Sequence, residues 1–302
     1  MNKTSRRVAT LSLLFAVCFA NAAKAELPRL APCTPNLLYK VSTTWYLVDG
    51  YHHRLLMSDR MSGNLDSWRE VATQLRDTHS VASDGKLVVA DSSEENKVVA
   101  FVADAESFQE QTVIHEVGQR PHRIHYSKGN AAFYVLSAIS GSISKFQNTS
   151  DGLKLVFSKD LPYLSGRYSR SFSIIDLEAY FVTSPGRIVR ARLSDDSFAE
   201  LETISLPEVA RSPNDVFRAS DGWWYVSATP KVLIRAKSPH DFAAGRFEDV
   251  YASWGLKGTP YYLSEYDGSL YIPTVTEYSS LNAIPIGAEA STKPTKILDF
   301  GR

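Results

Sequence analysis

Short apolar runs, rich in aromatic and β-branched residues, alternate along most of the chain with turns of Asp, Gly and Ser. Helical periodicity is scarce, and runs of this kind predict strands. Five segments line up on one another. Thr78-His79-Ser80-Val81 leads to Asp84-Gly85, then to runs over 86–91 and 96–101. Pro121-His122-Arg123-Ile124 leads to Lys128-Gly129, then to 132–137 and 141–146. Ser171-Phe172-Ser173-Ile174, Pro213-Asn214-Asp215-Val216 and Thr259-Pro260-Tyr261-Tyr262 open three more such units. A sixth precedes them, with runs at 45–49, 54–57 and 68–71. The period of roughly 40 to 50 residues matches a four-stranded propeller blade. The expectation is an all-β, six-bladed propeller of four-stranded antiparallel blades over residues 26–302, with a β-sandwich or solenoid as the structural alternative. The run at 37–41 serves either as the inner strand of the first blade or as a closing strand beside 296–300.

The first 25 residues follow another pattern. Arg6 and Arg7 precede an apolar run at 11–20, and small residues at Ala23 and Ala25 precede Glu26. This is the order of a cleavable secretory signal peptide, and its run is shorter than the ~20 residues a membrane span needs. A secreted or periplasmic chain is the expectation. Losing that segment removes four basic residues and no acid, leaving 29 basic against 33 acidic residues. No basic block attracts nucleic acid, and no second long apolar run predicts a membrane span. Cys18 leaves with the signal, so Cys33 is single and no internal disulfide forms.

The start of each innermost strand of a propeller faces the axis. The alignment puts His79, His122, Ser171, Asn214 and Pro260 in a first axial tier, and Ser80, Arg123, Phe172, Asp215 and Tyr261 in the next. Imidazole, carboxamide and carboxylate donors converging there suit a divalent ion, and a His near neutrality suits proton transfer. The structural reading of the same residues is turn capping and Asx turns. The candidate set is therefore His79 and His122 as catalytic groups, with Asn214 and Asp215 joining them around a metal. Arg123, Phe172 and Tyr261 are the candidate ligand contacts.

The segments at 48–55 (Val-Asp-Gly-Tyr-His-His-Arg-Leu) and 89–101 resemble NHL repeats. Ser212-Pro213-Asn214-Asp215-Val216, followed by Asp221-Gly222 and Trp224-Tyr225-Val226, resembles the inner strand of the regucalcin, gluconolactonase and paraoxonase group. That resemblance implies a six-bladed, calcium-dependent lactonase or esterase with Asn214 as a metal ligand, and Pro121-His122 resembles the paraoxonase segment with a catalytic His. The first blade offers no equivalent of that group's Glu ligand, and 259–262 offers no Asp or Asn. Thr78-His79-Ser80-Val81 is more distantly similar to the peptidylglycine amidating lyase, which implies zinc held by axial His.

Other features say less about chemistry. His52-His53 reads as a solvated turn pair, and one member of Tyr261-Tyr262 and of Trp223-Trp224 is expected in the core while the other lines a pocket for a ring-shaped ligand such as a sugar. Asn148-Thr149-Ser150 is a glycosylation sequon in a eukaryotic host. No Gly-rich phosphate loop or nucleophile elbow is present. Two functional readings follow: an exported protein binding a small molecule, metal or protein partner over its axial mouth, and a calcium- or zinc-dependent hydrolase or lyase. A purely structural module is the third.

Overall fold

A four-stranded sheet that is apolar on both faces is stable only between two neighbours, and the pattern of the third unit shows how this is met. The computed structural model describes residues 34–72, 75–102 and 110–300; the expected signal segment and Cys33 lie outside them. In the run Ala132–Leu136, Phe133 and Val135 join the apolar cluster shared with the preceding unit, whereas Ala132, Tyr134 and Leu136 join the cluster shared with the next. Alternation of side chains along a strand thus supplies both interfaces of the ring.

Six antiparallel sheets result, a six-bladed β-propeller. Blade I holds β1 (Pro35–Val41), β2 (Thr44–Asp49), β3 (Arg54–Ser58) and β4 (Arg69–Ala72). Blade II holds β5 (Val81–Ser83), β6 (Leu87–Ser92), β7 (Lys97–Val102) and β8 (Glu110–His115). Blade III holds β9 (Pro121–Ser127), β10 (Ala132–Ser137), β11 (Ser142–Thr149) and β12 (Gly152–Asp160). Blade IV holds β13 (Ser171–Ile175), β14 (Glu178–Thr183), β15 (Arg187–Arg192) and β16 (Glu200–Ser205). Blade V holds β17 (Ser212–Arg218), β18 (Trp224–Thr229), β19 (Val232–Ala236) and β20 (Glu248–Asp249). Blade VI differs: its inner strand is broken into β21 (Thr259–Pro260) and β22 (Ser264–Tyr266), both paired to β23 (Ser269–Val275), followed by β24 (Ser280–Pro285) and β25 (Thr295–Asp299). Among the described residues no helix is long and apolar enough to cross a membrane.

The ring closes without an exchanged strand. β1 is the inner strand of blade I and β25 the outer strand of blade VI, which settles the alternative left open by the sequence. The seam between these blades is packed instead: Leu38, Trp45 and Leu47 meet Tyr271, Leu281 and Leu298. Trp45 lies edge-on to Tyr266 and Tyr271, with ring centroids 5.6 Å apart in both pairs. Each large side chain removed from water there contributes about 1.5–3 kcal/mol.

Turn chemistry explains the NHL-like pattern. After the second strand of blades I, II and III, one residue adopts a left-handed backbone: His53 (φ 56°), Asn96 (φ 52°) and Gly141 (φ 64°). Asn and Gly tolerate that conformation best. Asp91, which ends the apolar part of β6, accepts from the backbone N–H of His79 (3.0 Å) and of Ser80 (2.6 Å). The repeated Asp therefore fixes the entry of the innermost strand.

Asp215 joins three blades. It is fully buried, accepts from Ser171 Oγ of blade IV (2.5 Å) and from the N–H of Leu263 of blade VI (2.9 Å), and itself belongs to blade V. Removing it leaves two buried groups unpaired, at about 1–3 kcal/mol each. Asp215→Ala should lower the unfolding free energy by about 3 kcal/mol, and Asp215→Asn by less because its shape and one acceptor remain. Urea titration measures both; a loss below about 1 kcal/mol for the alanine variant contradicts the bridging role.

Candidate functional site at the axial mouth

All six inner strands run away from the same end of the ring, so the segments that precede them meet at one mouth. His79 and His122, from blades II and III, stack there with ring centroids 3.8 Å apart and 27° between planes. Both are almost fully buried. Nδ1 of His79 hydrogen-bonds Ser93 Oγ (3.1 Å), and its Nε2 lies 3.7 Å from Asp77 Oδ1. His122 Nδ1 hydrogen-bonds the hydroxyl of Tyr262 at very short range. That hydroxyl also donates to the carbonyl of Arg170 (2.8 Å). The same hydroxyl lies within reach of the His122 carbonyl (3.3 Å), and the His122 ring also hydrogen-bonds the Arg170 backbone, so the ring is held by two partners.

Tyr262 crosses the axis. It springs from the break in the inner strand of blade VI and reaches blade III and the segment before blade IV. Its own N–H donates to the carbonyl of Asn36 in blade I (3.2 Å). Tyr261 packs on it at 4.5 Å and lies 6.2 Å from His79. The guanidinium of Arg123 lies 4.4 Å from the Tyr262 ring on the deeper side, one residue further along the strand than His122. The tyrosine plugs the channel and forms the floor of the mouth.

The rim over this floor is cationic and aromatic. Arg120 donates to Asp77 Oδ2 (2.5 Å) and hydrogen-bonds Tyr168, and its side chain is 35% exposed. Arg170 donates to Asn214 Oδ1 (3.0 Å) and lies 5.0 Å from the Tyr168 ring. Asp77 is positioned by its N–H, which donates to His53 Nδ1 (2.8 Å). Burial, the adjacent His79, and the charges of Arg120 and Arg170 push the His122 pKa well below its ordinary value. Burial raises the hydroxyl pKa of both Tyr261 and Tyr262.

The sequence-derived candidates separate in space. His79, His122 and Tyr261 share the mouth. Asn214 stands at its edge, where its amide group donates to the Pro260 carbonyl (2.9 Å) and its oxygen accepts from Arg170. Asp215 is turned between the blades, with both oxygens engaged. Arg123 is buried beneath Tyr262 and donates to His125 Nε2 (3.2 Å). Phe172 is a core residue, 5.4 Å from Phe181.

These positions do not fit a shared metal ion. The lone pairs of two stacked imidazoles lie in near-parallel planes rather than converging on one point, Asp215 points elsewhere, and two guanidinium groups lie close by. Among the described residues no group of three or more His, Cys, Asp or Glu is placed to hold an ion. No chemical step is derived through calcium or zinc.

Sequence reasoning missed Asp77, Arg120, Tyr168 and Arg170. Ser171 pairs with Val182 one residue before the end of β14, as Arg123 pairs with Leu136 one residue before the end of β10. Arg170, not Ser171, is therefore the counterpart of His122. Asp77 and Arg120 stand two residues before His79 and His122, so the repeat did contain their signal. His53 was read as solvated but anchors Asp77. Of the aromatic pairs, Trp224 is buried and Trp223 lines a cleft of about 380 Å3 with Lys237 and Asp241.

No protein-family model and no curated protein sequence matches the chain. Solved structures do. A protein from Bacteroides uniformis titled a "putative 6-phosphogluconolactonase" is 15% identical, with a TM-score of 0.62 over 88% of this chain and 86% of that one. One of the same description from Bacteroides fragilis is 16% identical, with a TM-score of 0.62 over 87% and 83%. Hydrazine synthase of Kuenenia stuttgartiensis is 15% identical, with a TM-score of 0.60 over 84% and 78%. At such identities the likeness is one of fold.

Burial and the Arg123 charge also hold His125 well below its ordinary pKa, while its ring hydrogen-bonds the backbone of Phe172. His122 and His125 thus stay neutral in the fold while the unfolded chain takes up protons below about pH 6.5. The unfolded state binds more protons in that window, so the stability is present above it and lost as pH falls. Burial of Asp91 and Asp215 raises their pKa and gives a slope of opposite sign, so the test is a comparison. His125→Asn should reduce the pH dependence of the unfolding free energy between about pH 7 and 5, by up to about one proton. Urea titrations across that range read it, and an unchanged slope contradicts the assignment.

Proposed function

We propose that the chain is an exported binding protein that holds a small molecule over its axial mouth. The observation that carries this is the convergence of Arg120, Tyr168 and Arg170, partly open, on a floor made by the stacked histidines and the Tyr262 plug. A bare structural ring needs only filler at its axis. It has no use for two partly exposed cations held by Asp77, Asn214 and Tyr168 beside the axis. The export step rests on the N-terminal segment alone.

A second reading is hydrolysis of a lactone or ester. It is favoured by the lowered pKa of His122, which keeps the ring neutral as a general base requires, and by the descriptions of the two Bacteroides proteins. In that chemistry His122 would take the proton of an attacking water, and Arg120 or Arg170 would stabilise the oxyanion that develops on the carbonyl.

The two readings part in one experiment. The mature chain is screened by thermal shift against sugars, sugar acids, sugar phosphates and their lactones, with Tyr168→Ala alongside. The binding reading expects a saturable rise in melting temperature that Tyr168→Ala reduces at least tenfold in apparent affinity. Unchanged affinity in that variant removes the mouth as the site. The hydrolytic reading expects lactone turnover that falls about 10²–10⁴-fold in His122→Ala; turnover that survives the substitution sinks it.

A further inference from the structure

We infer that the occupant of the mouth is an oxyanion, a carboxylate or phosphate carried on a small molecule, seated between Arg120 and Arg170. This deepens the binding reading and rests on it. Three observations carry it.

The first is the count of charge within the site. Arg120, Arg170, Asp77 and the buried Asp91 are its ionisable acids and cations; Asp77 faces Arg120 and the edge of His79, and Asp91 is engaged by the His79 and Ser80 N–H groups and Ser93 Oγ beneath the floor. Arg170 has no carboxylate partner in the site: it is held by the neutral oxygen of Asn214 and by the ring of Tyr168. Carboxylates on neighbouring loops are spent locally, Glu95 on Lys97, Glu208 on Arg211 and Glu277 on Lys231. Two converging guanidinium groups, one of them without a carboxylate, favour an anion.

The second is preorganisation. The backbone of Arg120 is left-handed at φ 60°, and its N–H donates to Asn96 Oδ1 (2.8 Å). The carbonyl of Arg170 accepts from Tyr262. Both guanidinium groups are thus anchored at their roots and held by neighbours, Arg120 by Asp77 and Tyr168 and Arg170 by Asn214. A planar fork matches a carboxylate or phosphate in a bidentate manner.

The third is the surroundings. Tyr168 lies beside both arginines. Tyr51 of blade I, 63% exposed, is near enough to influence the Tyr261 hydroxyl electrostatically. These rings offer apolar faces to the body of the ligand, while the stacked, neutral His122 below adds no competing charge. A cation meets two guanidinium groups here, and a neutral ligand leaves Arg170 without a counter-charge.

The test uses inorganic phosphate and acetate as probes, each against chloride at equal ionic strength, with melting temperature as the readout. Wild type is compared with Arg120→Gln, Arg170→Gln, the double variant, and Arg211→Gln as a rim control. The expected result is a saturable rise with phosphate, acetate or both. Its apparent affinity falls at least tenfold in each single variant and is lost in the double variant, and Arg211→Gln is unchanged. A response to phosphate alone assigns a phosphate group, and a response to acetate alone a carboxylate. An equal response of wild type and double variant to both anions overturns the inference. A neutral sugar that binds wild type and double variant alike would retain the mouth reading and remove the anion. If the screen above also finds no ligand at the mouth, both fail. Circular dichroism of the variants separates loss of the site from loss of the fold.

Discussion

One tyrosine reaches across the axis of this propeller, and the arrangement of its mouth depends on it. The Tyr261 N–H still bonds the Pro273 carbonyl of β23 (2.9 Å), but the break between β21 and β22 frees residues 262 and 263 from ladder pairing. Their backbone N–H groups then bond elsewhere: Tyr262 to Asn36 in blade I and Leu263 to Asp215 in blade V. The Tyr262 side chain reaches His122 and the Arg170 carbonyl on the far side. A single interrupted strand therefore touches blades I, III and V and the entry to IV. Circular arrays of sheets contact only their neighbours. Contacts across the axis add a second kind of connection, independent of the seam between blades I and VI.

The same residue sets the depth of the site. With the channel plugged at the level of His122, Arg123 is sealed off from the mouth, and its charge acts inward. After burial itself, it is the main influence holding the His125 pKa down, and it is the largest influence opposing the burial of Asp215. Two arginines on the mouth side of the plug and one beneath it thus have different roles, although Arg120 and Arg123 are three residues apart. Period-two alternation and the plug, rather than residue type, decide which cation can meet a ligand.

Much of the fold was legible in the sequence because the repeat carries it at several levels at once. Alternation in Ala132–Leu136, turn residues at His53, Asn96 and Gly141, and the Asp at the end of β6 agree with one another. The axial histidines were legible as well, since their positions follow from the start of each inner strand. Three things were not. A slip of one residue in blade IV hid Arg170, because Ser-Phe-Ser-Ile aligns by apolar content while the ladder pairs by register. Asp77 and Arg120 lay just outside the aligned motif. The reach of Tyr262 across the axis follows from no periodicity, since the blades it links are not neighbours in sequence or in the ring.

The burial of the histidines bears on what kind of site this is. His122 is 1% exposed and His79 6%, and the side chains that reach solvent first are those of Arg120, Tyr168 and Arg170. A molecule entering the mouth meets the arginine pair before it meets a base. General-base catalysis needs the basic nitrogen within hydrogen-bond reach of the attacking group, directly or through one water. The His122 ring lies edge-on to Tyr168 at 6.1 Å, and Tyr168 is hydrogen-bonded by Arg120. Arg120 is bound to both Asp77 and Tyr168, so displacing it breaks an ion pair and a hydrogen bond together. An anionic ligand supplies the replacement partner that would offset this cost, and a neutral ester does not. A molecule that displaces Arg120 is therefore better served by a negative charge than by a neutral ester.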